Sequence, residues 1–298
     1  KDIKQGYFNY LMAGEAVNIY RSGLKLTKEN LRINKALFDN GKANRTAVIR
    51  SENEVVRFES LVNVALQEQE NAKAYFNFLL NREADTEIEI DEVHKQIIDA
   101  QLDAGSSARR EELQQLALSS EINANVDRLS RSHLVPKLNT FLDVGSQGFD
   151  FAFDNNSVYY LFGLSLEWNL FASNRNKYKT KQVEADTRAI QSKTTYAENR
   201  LKLQLTTSVN NLTAAVSKYS SAEAQLTSSE RYYRDLLKQY KEGQILFIEL
   251  LDGQNQLISS RLNTNIALYD TWSKMAEIER ANASFDLNNN TNDTSNQK

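Results

Sequence analysis

Glu249 and Asp252 stand three residues apart, one to two turns beyond a glycine at 243, so they share one face of any helix that contains them. Paired carboxylates supply oxygen ligands for hard cations and concentrate negative charge. The same spacing also describes an ordinary solvated acidic face. Little else in the chain has the make-up of a reactive site. His94 and His133 are the only histidines, neither has a second His or a Cys at ligand spacing, and both read as solvated or capping residues. There is no cysteine, which excludes disulfides, a Cys-based zinc site and a thiol nucleophile. No glycine-rich phosphate loop follows a strand, and no Ser-His-Asp set can be assembled. The residue chemistry therefore points away from an enzyme and calls for no cofactor and no metal centre.

The totals narrow the class further. The 298 residues carry 36 basic and 39 acidic side chains, well mixed, for a net charge of −3. That balance gives no electrostatic reason to bind nucleic acid. Mean hydropathy is −0.57, and no run of about 18 apolar residues occurs, which excludes a membrane-spanning helix. Proline occurs once, at Pro136, and glycine ten times, too few punctuators for many short elements. No signal peptide is visible, and the chain opens inside a helical pattern, so an upstream part is expected to be missing.

The element that must organise the rest is residues 157 to 242. The stretch SVYYLFGLSLEWNLF reads as a strand with Val158, Tyr160, Phe162, Leu164, Leu166 and Trp168 on one face. Its other face turns polar from Gly163 onward. Period-2 alternation over about ten residues is what a tilted membrane strand needs, apolar toward lipid and polar toward a wet lumen. Trp168, at the strand end, reads equally as an interfacial anchor or as a packed core residue. The chain then turns at Ala172 and Ser173 into a helix with no Pro or Gly until Gly243. Roughly 70 residues of helix extend about 105 Å at ~1.5 Å each. A heptad seam is expected at Val209, Leu212, Val216, Tyr219, Leu226, Tyr233, Leu237 and Tyr240, interrupted by Glu223 and Glu230.

In chain order, the pattern predicts a helix over 1–38, a stop at Asp39-Asn40-Gly41-Lys42, and a second helix from 44–46 to about 80. A connector with little regular structure follows over 81–106. Helix resumes over about 107–132, Pro136 opens a first strand, and the loop GSQGFDFAFDNNS joins it to the second. A last helix is expected over about 245–285, and the tail from 287 is low in complexity.

An internal repeat ties these parts together. Setting Gly41 on Gly243 gives an offset of 202 (243 − 41), at which Asn9 meets Asn211, Leu24 meets Leu226 and Asn53 meets Asn255. Asn63, Ala65 and Leu66 likewise meet Asn265, Ala267 and Leu268. Both copies are helix, Gly turn, helix. The second copy has a β-hairpin upstream, so the repeat predicts another hairpin before Lys1.

The segments YKEGQILFIELLDGQNQLISSRL (240–262), LEWNLFASNRNKYKTKQVEADTRAIQ (166–191), RREEL (109–113) and VPKL (135–138) resemble the TolC-like outer-membrane efflux proteins. The match in order, spacing and duplication covers nearly the whole chain. The resemblance implies a mostly α fold with a β-hairpin: long helical hairpins forming a trimeric α-barrel, and strands contributing to a shared transmembrane β-barrel. On that reading residues 1–80 and 172–286 are the two helical hairpins, with tips near Gly41 and Gly243. Residues 81–106 are an equatorial connector, 107–134 a helix, 135–171 the membrane hairpin and 287–298 a disordered tail. The resemblance further implies a passive exit duct in the outer membrane, with most of its mass in the periplasm. Its partners would be a periplasmic adaptor at the tips, an inner-membrane transporter and outer-membrane lipid. It places Glu249 and Asp252 facing the axis at a closed tip, with Tyr240 in the gate network. Two departures stand out: Ile245 where the family often has Arg, and Ala47 as the first-repeat partner of Glu249. Arg45 or Arg50 is positioned to substitute. A soluble coiled-coil scaffold or adaptor is the competing reading, and the hairpin discriminates the two.

Overall fold

We describe a computed structural model of the chain, covering residues 1–42, 44–90, 110–132, 135–147, 158–168 and 174–284. Among these described residues, five helices and one antiparallel strand pair follow in the order α1 (Asp2–Asp39), α2 (Arg45–Leu79), α3 (Glu111–Arg131), β1 (Lys137–Ser146), β2 (Val158–Glu167), α4 (Arg175–Lys241) and α5 (Phe247–Ala281). The fold is mostly α with one β-hairpin, as the sequence pattern predicts. Both histidines, the turn at Ala172 and Ser173, and the tail lie outside the described residues.

The chain divides into two compact units, residues 1–107 with 202–298, and residues 108–201. In the first, the repeat is reproduced bond by bond. Helices α1 and α4 end at positions 202 apart, as do the starts and the ends of α2 and α5. At the first turn Asn40 N–H donates to Ala36 O, Gly41 N–H to Phe38 O and Lys42 N–H to Leu37 O. At the second turn Glu242, Gly243 and Gln244 donate to Lys238, Tyr240 and Gln239, the same three bonds shifted by the offset. Gly41 and Gly243 sit at φ +71° and +74°, the left-handed region where a Cβ costs energy and glycine does not. Even the distal ends agree, with Asn81 at φ 54° and Ala283 at φ 51°. This last turn ends α5 at Ala281, four residues before the expected stop.

Helix α1 runs antiparallel to α2, with Lys28–Glu59 and Lys35–Glu52 bridges at 3.0 Å each. Helix α5 lies antiparallel to both α1 and α4, through Arg261 to Ser22 and Glu230, and it carries the longest run of buried side chains. Three apolar clusters form the core, centred on Leu250 and Tyr240, on Phe58 and Ile258, and on Phe8 and Trp272.

The seam of α4 differs from the expected one. Its buried or half-buried row is 208, 212, 215, 219, 222, 226, 229, 233, 236 and 240, spaced by fours and threes. Leu212, Tyr219, Leu226, Tyr233 and Tyr240 are correct, but the alternate positions are Ser208, Ala215, Ala222, Ser229 and Leu236, each one residue before the expected Val209, Val216, Glu223, Glu230 and Leu237; Val209 and Leu237 stay half-buried beside the row. Val216 is 40% exposed. Small residues let α5 approach closely, where Ser229 and Ser260 hydroxyls meet at 2.9 Å and Thr264 donates to Ala222 O at 3.2 Å. Glu223 and Glu230 therefore flank the seam instead of interrupting it; Glu223 accepts from the Tyr219 hydroxyl at 2.8 Å.

In the second unit, α3 joins the first part of α4 through Asn123 to Thr187 at 2.8 Å. The strands pair in a register that matches Leu138 with Leu166, Thr140 with Leu164, Leu142 with Phe162 and Val144 with Tyr160. Strand β2 ends at Glu167, so Trp168 lies just beyond it rather than within it.

Candidate functional site

The two Gly turns lie side by side and enclose a cleft of about 420 Å³ lined by residues of both, including Lys42, Arg50, Tyr240, Lys241, Glu242, Ile245 and Phe247. Beneath it, Tyr240 is buried, packs its ring against Phe247 at 5.8 Å between centroids, and donates its hydroxyl to Asn34 Oδ1 on α1. Asn34 Nδ2 in turn donates to Ser51 Oγ on α2 and, at 3.5 Å, to Ala47 O. The Ser51 hydroxyl donates to the same Ala47 carbonyl at 2.8 Å. Asn34 and Ser51 are wholly buried, so these bonds are made where an unpaired polar atom is expensive. Burial pushes the Tyr240 phenol above its ordinary pKa.

One turn further along α1 a second set joins the repeats. Asn30 Nδ2 donates to Gln254 Oε1 at 2.5 Å and to the Tyr233 hydroxyl at 3.4 Å. Gln254 Nε2 donates to Thr27 Oγ1 at 2.6 Å, and Thr27 donates to Gly23 O at 2.9 Å. These buried polar residues were not anticipated from sequence. Their signal was available: Thr27, Asn30 and Asn34 recur at three- and four-residue spacing among apolar positions such as Ile33 and Leu37.

The two acids occupy different environments. Glu249 Oε1 accepts from the Leu246 backbone N–H at 3.1 Å, so its carboxylate caps the start of α5. The first repeat solves the same problem from the other side, with Asn44 Oδ1 accepting from Ala47 N–H at 2.9 Å. This is why Ala47 suffices where the second copy has Glu249. Asp252 is exposed and makes no hydrogen bond or ion pair among the described residues. Tyr240 reaches neither acid and bonds to Asn34 instead. Ile245 is half-buried against the core cluster around Tyr240. Arg45 and Arg50 are both exposed and form no ion pair among the described residues.

A separate surface belongs to the hairpin. Its register gathers Leu138, Leu142, Val144, Tyr160, Phe162, Leu164 and Leu166 on one face, all more than half exposed, with Tyr160 at 75%. On the other face Phe141 lies over Gly163, and the Tyr159 hydroxyl reaches Asp143 at 3.5 Å. Trp168 is 53% exposed, so it is not a packed core residue of this chain.

Among the described residues no group of His, Asp and Glu side chains could hold a metal ion, and no helix is long and apolar enough to cross a membrane. No curated protein matches the chain. Solved structures do. The chain resembles the outer membrane protein VceC of Vibrio cholerae at a TM-score of 0.78 and 14% identity, covering 94% of this chain and 68% of that one. It resembles the Neisseria gonorrhoeae MtrE outer membrane channel, determined in its open state, at 0.81 and 18%, covering 94% and 64%. The Campylobacter jejuni CmeC outer membrane channel gives 0.75 and 14%, covering 96% and 63%. At these identities the likeness is one of fold, and the chain spans about two thirds of each relative's length. The family model for the outer membrane efflux protein matches residues 105–284, from the helix before the hairpin through the second Gly turn to the end of α5. With that model covering more than half of its length, the chain belongs to the outer membrane efflux protein family.

Proposed function

We propose that this chain is one protomer of a passive exit duct in the outer membrane, part of a tripartite efflux or type I secretion system. The observation that carries the reading is the hairpin: ten-residue strands whose register collects a largely apolar face, broken only by Thr140, that no other described residue covers. Ten residues is the length a tilted strand needs to cross the hydrocarbon core. A soluble scaffold would expose that row to water at a cost of about 25 cal/mol per Å² of apolar surface, which argues against the competing reading.

Even two hairpins per protomer, this one and the one the repeat predicts before Lys1, cannot close a barrel, and each unpaired backbone group at an open edge in lipid costs several kcal/mol. Further copies must supply the missing neighbours. Leu118, Ile122 and Leu129 form an exposed apolar stripe on α3, which supports side-by-side packing of copies there too. The assembly is a trimer sharing one β-barrel through residues 135–171 and one periplasmic α-barrel through the helical hairpins 1–80 and 172–286. Its tips, at Gly41 and Gly243, dock to a periplasmic adaptor, and an inner-membrane pump drives transport. Asp252 and Glu249 face the axis near the tip, and Trp168 marks the membrane interface. Mass measurement of the full-length protein in detergent tests the assembly. A trimer is expected, and a monodisperse monomer would overturn it.

A further inference from the structure

A groove of about 560 Å³ lies between α1, α4 and α5 and shares no lining residue with the cleft at the two turns. Its walls follow from helical spacing. Glu15, Asn18 and Ser22 fall on one face of α1, and Arg261, Asn265 and Leu268 fall on the facing side of α5. Small-molecule pockets span roughly 300–1,000 Å³, so the groove is large enough for one. Asn265 is 6% exposed; its Nδ2 donates to Met12 O at 2.9 Å, and its Oδ1 receives no donor. Among the described residues Asn30, Asn77 and Asn265 each keep a buried side-chain oxygen in that state, and only Asn265 lines either cleft. The half-buried Tyr269, also in the lining, makes no hydrogen bond among the described residues. The Glu15 carboxylate accepts from Asn18 Nδ2 at 3.2 Å, and its field reaches the Tyr269 phenol, whose pKa is raised by burial and then by Glu15. The cation in the groove is already matched, because Arg261 bridges Glu230 at 3.0 Å and donates to Ser22 at 3.1 Å.

We propose that this groove binds a small organic amine, its ammonium held by the Glu15 carboxylate with the Asn265 and Tyr269 oxygens, and its apolar body laid on Ile19, Leu226 and Leu268. An ammonium brings three donors and no acceptor, which complements acceptors that lack donors. An anionic ligand would meet Glu15 with like charge, and a bare cation would leave the apolar wall unused. Helix α1 belongs to the first repeat, α4 and α5 to the second, so the occupant bridges the two. A ligand that binds only the folded chain stabilises it in proportion to its affinity. The site involves neither the tips nor the membrane hairpin, so it stands apart from the duct reading.

The test uses the purified full-length protein in detergent and a matched pair of probes, tryptamine and its neutral alcohol counterpart tryptophol. Titration calorimetry, with uptake by empty micelles subtracted, should show one tryptamine per protomer, bound at least tenfold more tightly than tryptophol. The thermal unfolding midpoint should rise with tryptamine and not with tryptophol. Glu15→Gln should weaken tryptamine at least tenfold, whereas Glu68→Gln, an exposed acid of α2 outside the groove, should leave it unchanged. Asn18→Trp, at the exposed rim, should fill the groove and abolish binding. No saturable binding, equal affinity for the two probes, or a Glu15→Gln effect no larger than that of Glu68→Gln would overturn the proposal. Glu15 is exposed, so its variant should melt with the unliganded wild type; should Asn18→Trp misfold, Glu15→Gln decides alone.

Discussion

Replacing Tyr240 by Phe removes one hydroxyl from the centre of the polar network beneath the tips. The ring keeps its place against Phe247, but Asn34 Oδ1 loses the donor that satisfies it. Asn34 is wholly buried, so water cannot take over without opening the helices. Leaving a buried acceptor unpaired costs about 1–3 kcal/mol. Tyr232→Phe is the control: that ring is half-exposed and its hydroxyl makes no bond among the described residues, so the change should stay within about 0.5 kcal/mol. Adding Asn34→Leu to Tyr240→Phe removes both halves of the bond, while Ser51 keeps Ala47 O as its acceptor. The double variant should recover much of the loss, since replacing both partners by apolar groups is close to neutral. Denaturant unfolding of the full-length protein in detergent, followed by helical circular dichroism, measures all three. If Tyr240→Phe is no more costly than Tyr232→Phe, the network does not hold the two repeats together.

Alkaline pH should act on the same tyrosines. Burial raises Tyr240, Tyr233 and Tyr269 and, with Glu223 alongside, pushes Tyr219 up to about 12. A raised folded value means stability fully present below the unfolded value of about 10 and lost as pH climbs through the folded ones. The unfolding midpoint should therefore fall above about pH 10, and less so in Tyr240→Phe. In the hairpin, Leu142→Arg or Phe162→Arg should cost about 2–4 kcal/mol of membrane stability, measured by urea unfolding from liposomes, whereas Ser165→Arg on the opposite face should not. Gly243→Val forces a β-branched residue to φ +74° with open space around it, so strain of about 1–2 kcal/mol should distort the tip and reduce efflux while the trimer persists in the membrane. Asp252→Ala should relieve block by multivalent cations added on the tip side of a single channel; Glu249→Ala should in addition lower the unfolding midpoint, because it removes a helix cap worth about 0.5–2 kcal/mol.

The parts of this fold that were legible in the sequence are those written in punctuation and period. Gly41 and Gly243 mark turns that a left-handed residue closes, so the repeat offset locates both turns. The strand alternation from Val158 to Leu166 sets the register, because a one-residue slip would put the apolar row on the polar face. What escaped was carried by small and polar side chains. Hydrophobicity alone prefers Val209 and Val216 to Ser208 and Ala215, yet close helix packing selects the small residues. Asn34 and Gln254 look like surface residues until α1, α2, α4 and α5 are brought together. Glu249 has an exposed carboxylate in either role, and its capping bond to Leu246 depends on where α5 begins.

Conductance of the purified full-length protein in a planar bilayer bears most directly on the duct itself. Uniform, discrete and ohmic steps are predicted, and they should vanish when Leu142 and Phe162 are both changed to Arg and the hairpin no longer inserts. A folded protein that produces no steps, or one whose conductance survives both arginines, would contradict the account.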